Sequence, residues 1–108
     1  MKMMTRAIEQ KLEKTPLGST DGQGFAAKVI CKFFNPYGSG TWLITEGEKQ
    51  PDGDWLLYGY MHIFDWEWGY VRLSEIVNTR VPVFGGMRMP LERDMYSRMG
   101  TVGEMCGM

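Results

Sequence analysis

Between Lys28 and Leu73 apolar and aromatic side chains return at alternate positions, and clusters of turn-forming residues break the runs. A two-residue period sends successive side chains to opposite faces of a strand, so this stretch is committed to pleated sheet. Lys28 to Phe34 sets Val29, Cys31 and Phe33 against Lys28, Ile30, Lys32 and Phe34. Asn35-Pro36-Tyr37-Gly38-Ser39-Gly40 then turns the chain into a second strand, Thr41 to Glu46. The turn Gly47 to Gly53 leads into a third, Asp54 to Phe64. In that turn Pro51 fixes φ, Asp52 caps through its side chain and Gly53 takes positive φ. Asp65-Trp66-Glu67 connects to a fourth strand, Trp68 to Leu73. Sequential strands joined by short turns give an antiparallel meander.

The flanks read as helix and loop. Met4, Ile8 and Leu12 recur every four residues beside Ala7, which predicts an amphipathic helix over Met3 to Lys14, stopped before Pro16. Thr15 to Gly24 has no period and reads as a loop, while Ser74 is placed to cap a short helix over Glu75 to Asn78. Val81 to Phe84 is extended and Gly85-Gly86 breaks the chain. Pro90 suits the first turn of a last helix whose Leu91 and Met95 face the sheet. Glu92 and Asp94 would complement that helix's dipole, and Arg93 would pair with Glu75 or another strand carboxylate. Three glycines between Gly100 and Met108 predict a mobile tail. With 108 residues the expectation is one α+β domain. Its twisted antiparallel sheet of four or five strands carries an N-terminal helix and a short C-terminal helix. The expected segments are 1–14 helix, 28–73 sheet, 74–99 helical and extended, and 100–108 flexible.

Cys31 and Cys106 are too few for a disulfide framework, which favours a reducing compartment. Lys2, Arg6, Glu9, Lys11, Glu13 and Lys14 interrupt the first residues, so no signal-peptide core is read there, and no later stretch suits a bilayer. A cytoplasmic location without a membrane partner is expected. Net charge is −1, giving no general attraction to nucleic acid, and the middle of the chain is acidic: Glu46, Glu48, Asp52, Asp54, Asp65 and Glu67 stand against Lys49 alone. Hairpin turns favour Asp for backbone reasons, so solvated turns explain most of this.

Tests for chemistry return little. His62 is the only histidine, and Cys31, its conceivable nucleophile, falls on the Val29/Phe33 face, where a buried apolar role is ordinary. One histidine and two distant cysteines lack zinc spacing, and Asp52-Gly53-Asp54 lacks the loop and terminal Glu of the helix-loop-helix calcium site. Gly38-Ser39-Gly40 has no following Gly-Lys-Ser and reads as a turn. No catalytic residue, metal or cofactor is expected. Aromatic residues are the surplus: Trp42, Trp55, Tyr58, Tyr60, Trp66, Trp68 and Tyr70 crowd the second to fourth strands. In the third strand Trp55, Leu57, Met61 and Ile63 take one face, and Leu56, Tyr58, Tyr60, His62 and Phe64 the other. A one-sided core would leave an aromatic surface suited to recognition, unless terminal helices cover it.

Several blocks occur together in order: Lys32-Phe33-Phe34, Thr41-Trp42, Thr45-Glu46-Gly47, Asp52-Gly53-Asp54-Trp55-Leu56, Gly69-Tyr70, Leu73-Ser74-Glu75 and Pro90-Leu91-Glu92-Arg93-Asp94-Met95-Tyr96. In this order and spacing, over Lys28 to Tyr96, the chain resembles the family called domain of unknown function 2958. The resemblance implies a small protein of phages, plasmids or integrative elements; it carries no activity and no residue roles.

The expected function is therefore non-enzymatic binding of a host or element-encoded protein or nucleoprotein. Inhibition of a host defence system, such as CRISPR interference or restriction, is the form this binding is expected to take. The expected surface combines Trp42, Glu46, Asp52, Asp54, Trp55, Tyr58, Tyr60, Trp66 and Arg93. One alternative is a small-ligand binder or enzyme using His62, Glu46, Tyr58 and Arg93 in a cleft between sheet and C-terminal segment. Another is single-strand nucleic-acid binding by stacking beside Lys28 and Lys32, against which the acidic turns argue.

Overall fold

The computed structural model describes residues 1–108. Its centre is an antiparallel sheet built from β1 (Cys31–Phe34), β2 (Thr41–Lys49), β3 (Trp55–His62), β4 (Trp66–Arg72) and, across the far edge, β7 (Glu92–Arg93). The spatial order is β4-β3-β2-β1-β7, so the meander read from the sequence gains a fifth strand. A separate ribbon pairs β5 (Arg80–Pro82) with β6 (Arg88–Pro90). Helices α1 (Arg6–Glu13), α2 (Leu73–Asn78) and α3 (Val102–Met105) complete the fold.

Helix α1 forms on the four-residue spacing but begins at Arg6, not Met3, because Thr5 caps it by accepting from the Ile8 N–H, and Ile8 and Leu12 are buried. They pack on the sheet face made by Cys31, Phe33, Ile44 and Leu57. Gly47 makes this approach possible, because a Cβ there would press on the Leu57 and Leu12 methyls. Opposite this layer, Val102 of α3 closes a second, smaller cluster with Val29 and Leu43. The sheet is thus covered over both faces, by α1 and its neighbours on one and only partly by α3 on the other.

The third strand alternates strictly, with Trp55, Leu57, Gly59 and Met61 buried and the intervening residues half-buried. β2 does not alternate. Its pairing with β3 shifts between Ile44 and Glu46, so Thr45 is an extra residue, and Glu46 lies opposite Tyr58 on the face that Leu43 shares with Tyr60. Five consecutive residues, Leu43 to Gly47, are buried as a result. The bulge meets Gly59, where a Cβ would collide with the Leu43 carbonyl.

The structure corrects several boundaries. β2 runs on through Lys49, opposite Trp55, and the tight turn is confined to Gln50–Asp54, with the Gly53 N–H bonded to Gln50 O at 3.0 Å. β4 begins at Trp66, which pairs with His62. Ser74 is not the cap of α2: Arg72 precedes the helix, its N–H donating to Glu75 Oε1 at 3.0 Å, while Ser74 donates its hydroxyl to Asp54 at 2.6 Å.

The largest correction concerns the C-terminal third. No helix starts at Pro90, which instead ends the β6 edge, where its missing N–H costs no ladder bond. Glu92 and Arg93 pair with Phe34 and Phe33 as a strand, and Leu91 is buried in the main core while Met95 is exposed. Asp94 follows as a turn former, accepting the Tyr96 and Ser97 N–H groups at 2.9 Å. The short C-terminal helix lies in the glycine-containing tail: Thr101 caps it, and Val102 donates to Ala27 O at 2.9 Å. Residues 100–108, expected to be flexible, are therefore anchored by this bond and by buried Val102 and Gly103.

Candidate functional site

On the face away from α1, β3 and β4 lay their aromatic side chains side by side. Tyr58, Tyr60 and His62 stand on β3, and Trp66, Trp68 and Tyr70 stand opposite on β4. Tyr60 stacks on Trp66 with centroids 4.9 Å apart and planes 14° from parallel; Tyr58 stacks on Trp68 at 5.8 Å, also 14° from parallel. Tyr70 leans against Tyr58 at 4.9 Å. Phe25, from the short 3-10 turn Gly24–Ala26, sets its ring edge-on to Tyr60 at 5.2 Å. Cross-strand aromatic pairs of this kind fix one another's orientation as well as burying area. The array remains open toward the sheet edge, where Trp66 is 40% and Tyr70 63% exposed. β4 is an edge strand, so its outer backbone groups have no strand partner in the sheet.

Along the inner side of this array the loop after α1 forms a wall, and buried Glu46 holds it there. Its carboxylate accepts the Gly18 N–H at 2.6 Å and the Thr20 N–H at 2.9 Å, and the Thr20 hydroxyl as well. The bulge at Thr45 is what turns Glu46 toward this loop. Between loop and sheet lies a cleft of about 340 Å³ lined by Thr20, Asp21, Gly22, Gly24, Tyr58 and Trp68. Burial pushes the Tyr58 hydroxyl's pKa up, and the nearby charges of Glu46 and Asp21 and the neighbouring Tyr70 push it the same way.

The remaining residues of the expected surface do not join this array. Trp55 is buried in the main core, and Trp42 packs against the same core from β2. Glu46 is buried and spent on the loop. Asp54 accepts from Ser74, and Arg72 stands 3.6 Å from both Asp52 and Asp54, so the acidic turn is partly neutralised from within. The Ser74 hydroxyl is the main cause holding the Asp54 carboxyl below its usual pKa. Arg93 is far across the sheet on β7, where its Nε donates to Lys2 O at 2.9 Å; it clamps the N-terminus and not Glu75. His62, Glu46, Tyr58 and Arg93 are therefore not brought to one cleft. Tyr58, Tyr60 and Trp66 are the expected residues that the array brings together.

Thr20 and Asp21 were missed because they fall in a loop without period, and Phe25 because it lies between that loop and the first expected strand. The available signal was Glu46, a carboxylate closing the second strand after the apolar run Trp42 to Ile44. A second groove, of about 620 Å³, runs between Lys28, Lys32 and Arg98, with Glu104 on its wall; Lys32 lies 3.5 Å from Asp94. No three His, Cys, Asp or Glu side chains converge as a metal site, and no helix is long and apolar enough to cross a membrane. Cys31 is buried, and burial pushes its thiol pKa up to about 12.

The family model described as Protein of unknown function (DUF2958) matches residues 3–101, so the chain belongs to that family. Neither the curated proteins nor the solved structures contain a significant match to it.

Proposed function

We propose that this chain is a non-enzymatic protein-binding module whose contact surface is the aromatic face of β3 and β4. The observation that carries the reading is the interlocked array of Tyr58, Tyr60, Trp66, Trp68 and Tyr70, left open along a free sheet edge. Tyr and Trp dominate contact hot spots because they bury large areas at small cost in rotamer entropy. Here neighbouring rings already restrict them, which lowers the ordering cost of binding further. The main core does not need the exposed rims of Trp66 and Tyr70, so their placement asks for another occupant.

The acidic turns add less to this contact surface than their number in the sequence suggests. Glu46 faces inward, and Asp52 and Asp54 share Arg72. Stacking of single-stranded nucleic acid is disfavoured because the basic groove at Lys28, Lys32 and Arg98 is lined by none of the β3/β4 aromatics. A partner encoded by a host or mobile element, including one belonging to a defence system, fits a protein contact surface and belongs to this proposal.

The test is capture of a specific partner from host lysate by wild type, a Trp66→Ala/Tyr70→Ala variant and a Phe84→Ala control, each first verified as folded. Phe84 is fully exposed on the β5–β6 ribbon, away from the array. Loss of the partner with the β4 variant alone is expected; equal capture by all three would end the reading.

A further inference from the structure

We infer that the cleft between the Thr20–Gly24 loop and the Tyr58/Trp68 pair receives a cationic side chain, arginine or lysine, from a basic segment of the protein partner. The inference rests on the proposed contact surface and names the chemistry of what enters it.

Four observations converge on a cation. The floor is aromatic, since Tyr58 and Trp68 both line the cleft and Tyr70 abuts Tyr58. The face of an aromatic ring carries negative charge density and attracts ammonium and guanidinium groups, most strongly at Trp. The wall adds Asp21, and Glu46 sits behind Thr20 with its charge directed into the same loop. No Lys or Arg lines the cleft, so neither Asp21 nor the rings are already matched by a cation within it. Burial is the larger cause of the raised Tyr58 hydroxyl pKa, and the nearby charges of Glu46 and Asp21 add to it in the direction that also favours a cation.

The wall is also held in place before any ligand arrives. Glu46 fixes Gly18 and Thr20 from beneath, and Gly22 and Gly24 take positive φ, which brings bare backbone to the cleft's rim. A guanidinium lying on Trp68 could reach the exposed carboxylate of Asp21, while its alkyl stem runs over Tyr58. The volume suits one such side chain with some water, and a small open cleft is what a single anchoring residue of a peptide requires.

The experiment is a two-dimensional NMR titration of the intact chain with hexa-arginine and, in parallel, with hexa-citrulline, its neutral near-isostere. Hexa-arginine is expected to shift the Trp68 indole N–H and the Gly22 and Gly24 amides saturably, whereas hexa-citrulline leaves them in place. Asp21 is exposed, so Asp21→Asn preserves the fold and is expected to weaken hexa-arginine binding by about threefold to tenfold. Tyr58→Leu should weaken it similarly if folded, and Asp21→Asn alone decides the matter if it is not. Equal shifts with both peptides, shifts confined to the Glu48–Asp54 turn, or an unaltered affinity in Asp21→Asn would each overturn the cationic occupant. If partner capture still depended on Trp66 and Tyr70 after that outcome, the contact surface would stand without it; if capture were also indifferent to them, both readings would fall.

Discussion

Replacing Glu46 tests the link between the β2 bulge and the binding cleft. In Glu46→Ala the Gly18 N–H, the Thr20 N–H and the Thr20 hydroxyl all lose their acceptor. A hydrogen bond to a charged group contributes about 1.5–3 kcal/mol, but the loop is partly exposed and water can replace some of what is lost. The net cost is therefore about 2–4 kcal/mol, compounded by the cavity left between Leu43 and Tyr58. Glu46→Gln keeps one acceptor oxygen and turns an amide NH₂ toward the other donor, so it should cost about 1–2 kcal/mol. Urea unfolding followed by Trp fluorescence gives both numbers, and amide exchange gives their location, with residues 16–24 losing protection first. The order Ala worse than Gln worse than wild type is expected. If both variants lie within about 0.5 kcal/mol of wild type, with the loop still protected, the carboxylate does not hold the cleft wall and the reasoning fails.

Two further substitutions and a pH series probe the scaffold. Gly59→Ala places a Cβ against the Leu43 carbonyl at the bulge and should destabilise by about 3 kcal/mol or more, whereas Gly69→Ala, in open space opposite it, should cost less than about 1 kcal/mol; denaturant titration separates them. Asp94 should impose an acid-dependent loss of stability. Burial raises its carboxyl pKa, but the Ser97 amide and hydroxyl, the Tyr96 amide and Lys32 outweigh that and bring it down from 3.8 to about 2. The folded value lies below the unfolded one, so the stabilisation is fully present above about pH 4 and disappears as pH falls through about 2; the shift corresponds to about 2 kcal/mol. Asp94→Asn should flatten that part of the stability–pH curve, and an unchanged slope would show that the turn does not use the charge.

Legibility followed the strength of the local pattern. β1, β3 and α1 were readable in kind because each has one periodicity and one buried face, although β1 begins at Cys31 and not Lys28 and α1 at Arg6 and not Met3. β2 was read short because the bulge at Thr45 breaks its alternation, and nothing local announces a bulge whose cause is a glycine, Gly59, on another strand. The segment after Pro90 was misread because Pro followed by acidic residues is a good helix start, yet pairing with Phe33 and Phe34 outweighs that propensity once β1 offers a free edge. The tail's glycines suggested mobility, while Thr101 and Glu104, which cap α3 reciprocally, carried the opposing signal. For the site, composition located the aromatic surplus. It could not decide which side chains share a face, because Trp42 and Trp55 turn inward and Trp68 and Tyr70 turn outward only through register.

The most direct test of the central claim is amide hydrogen exchange on the wild-type chain, free and bound to its captured partner. The outward-facing amides of β4, between Trp66 and Arg72, are expected to exchange readily in the free chain and to become protected in the complex, together with the Thr20–Gly24 loop. Protection confined to α1, to the β5–β6 ribbon or to the Lys28/Lys32/Arg98 groove would place the contact elsewhere and contradict the account.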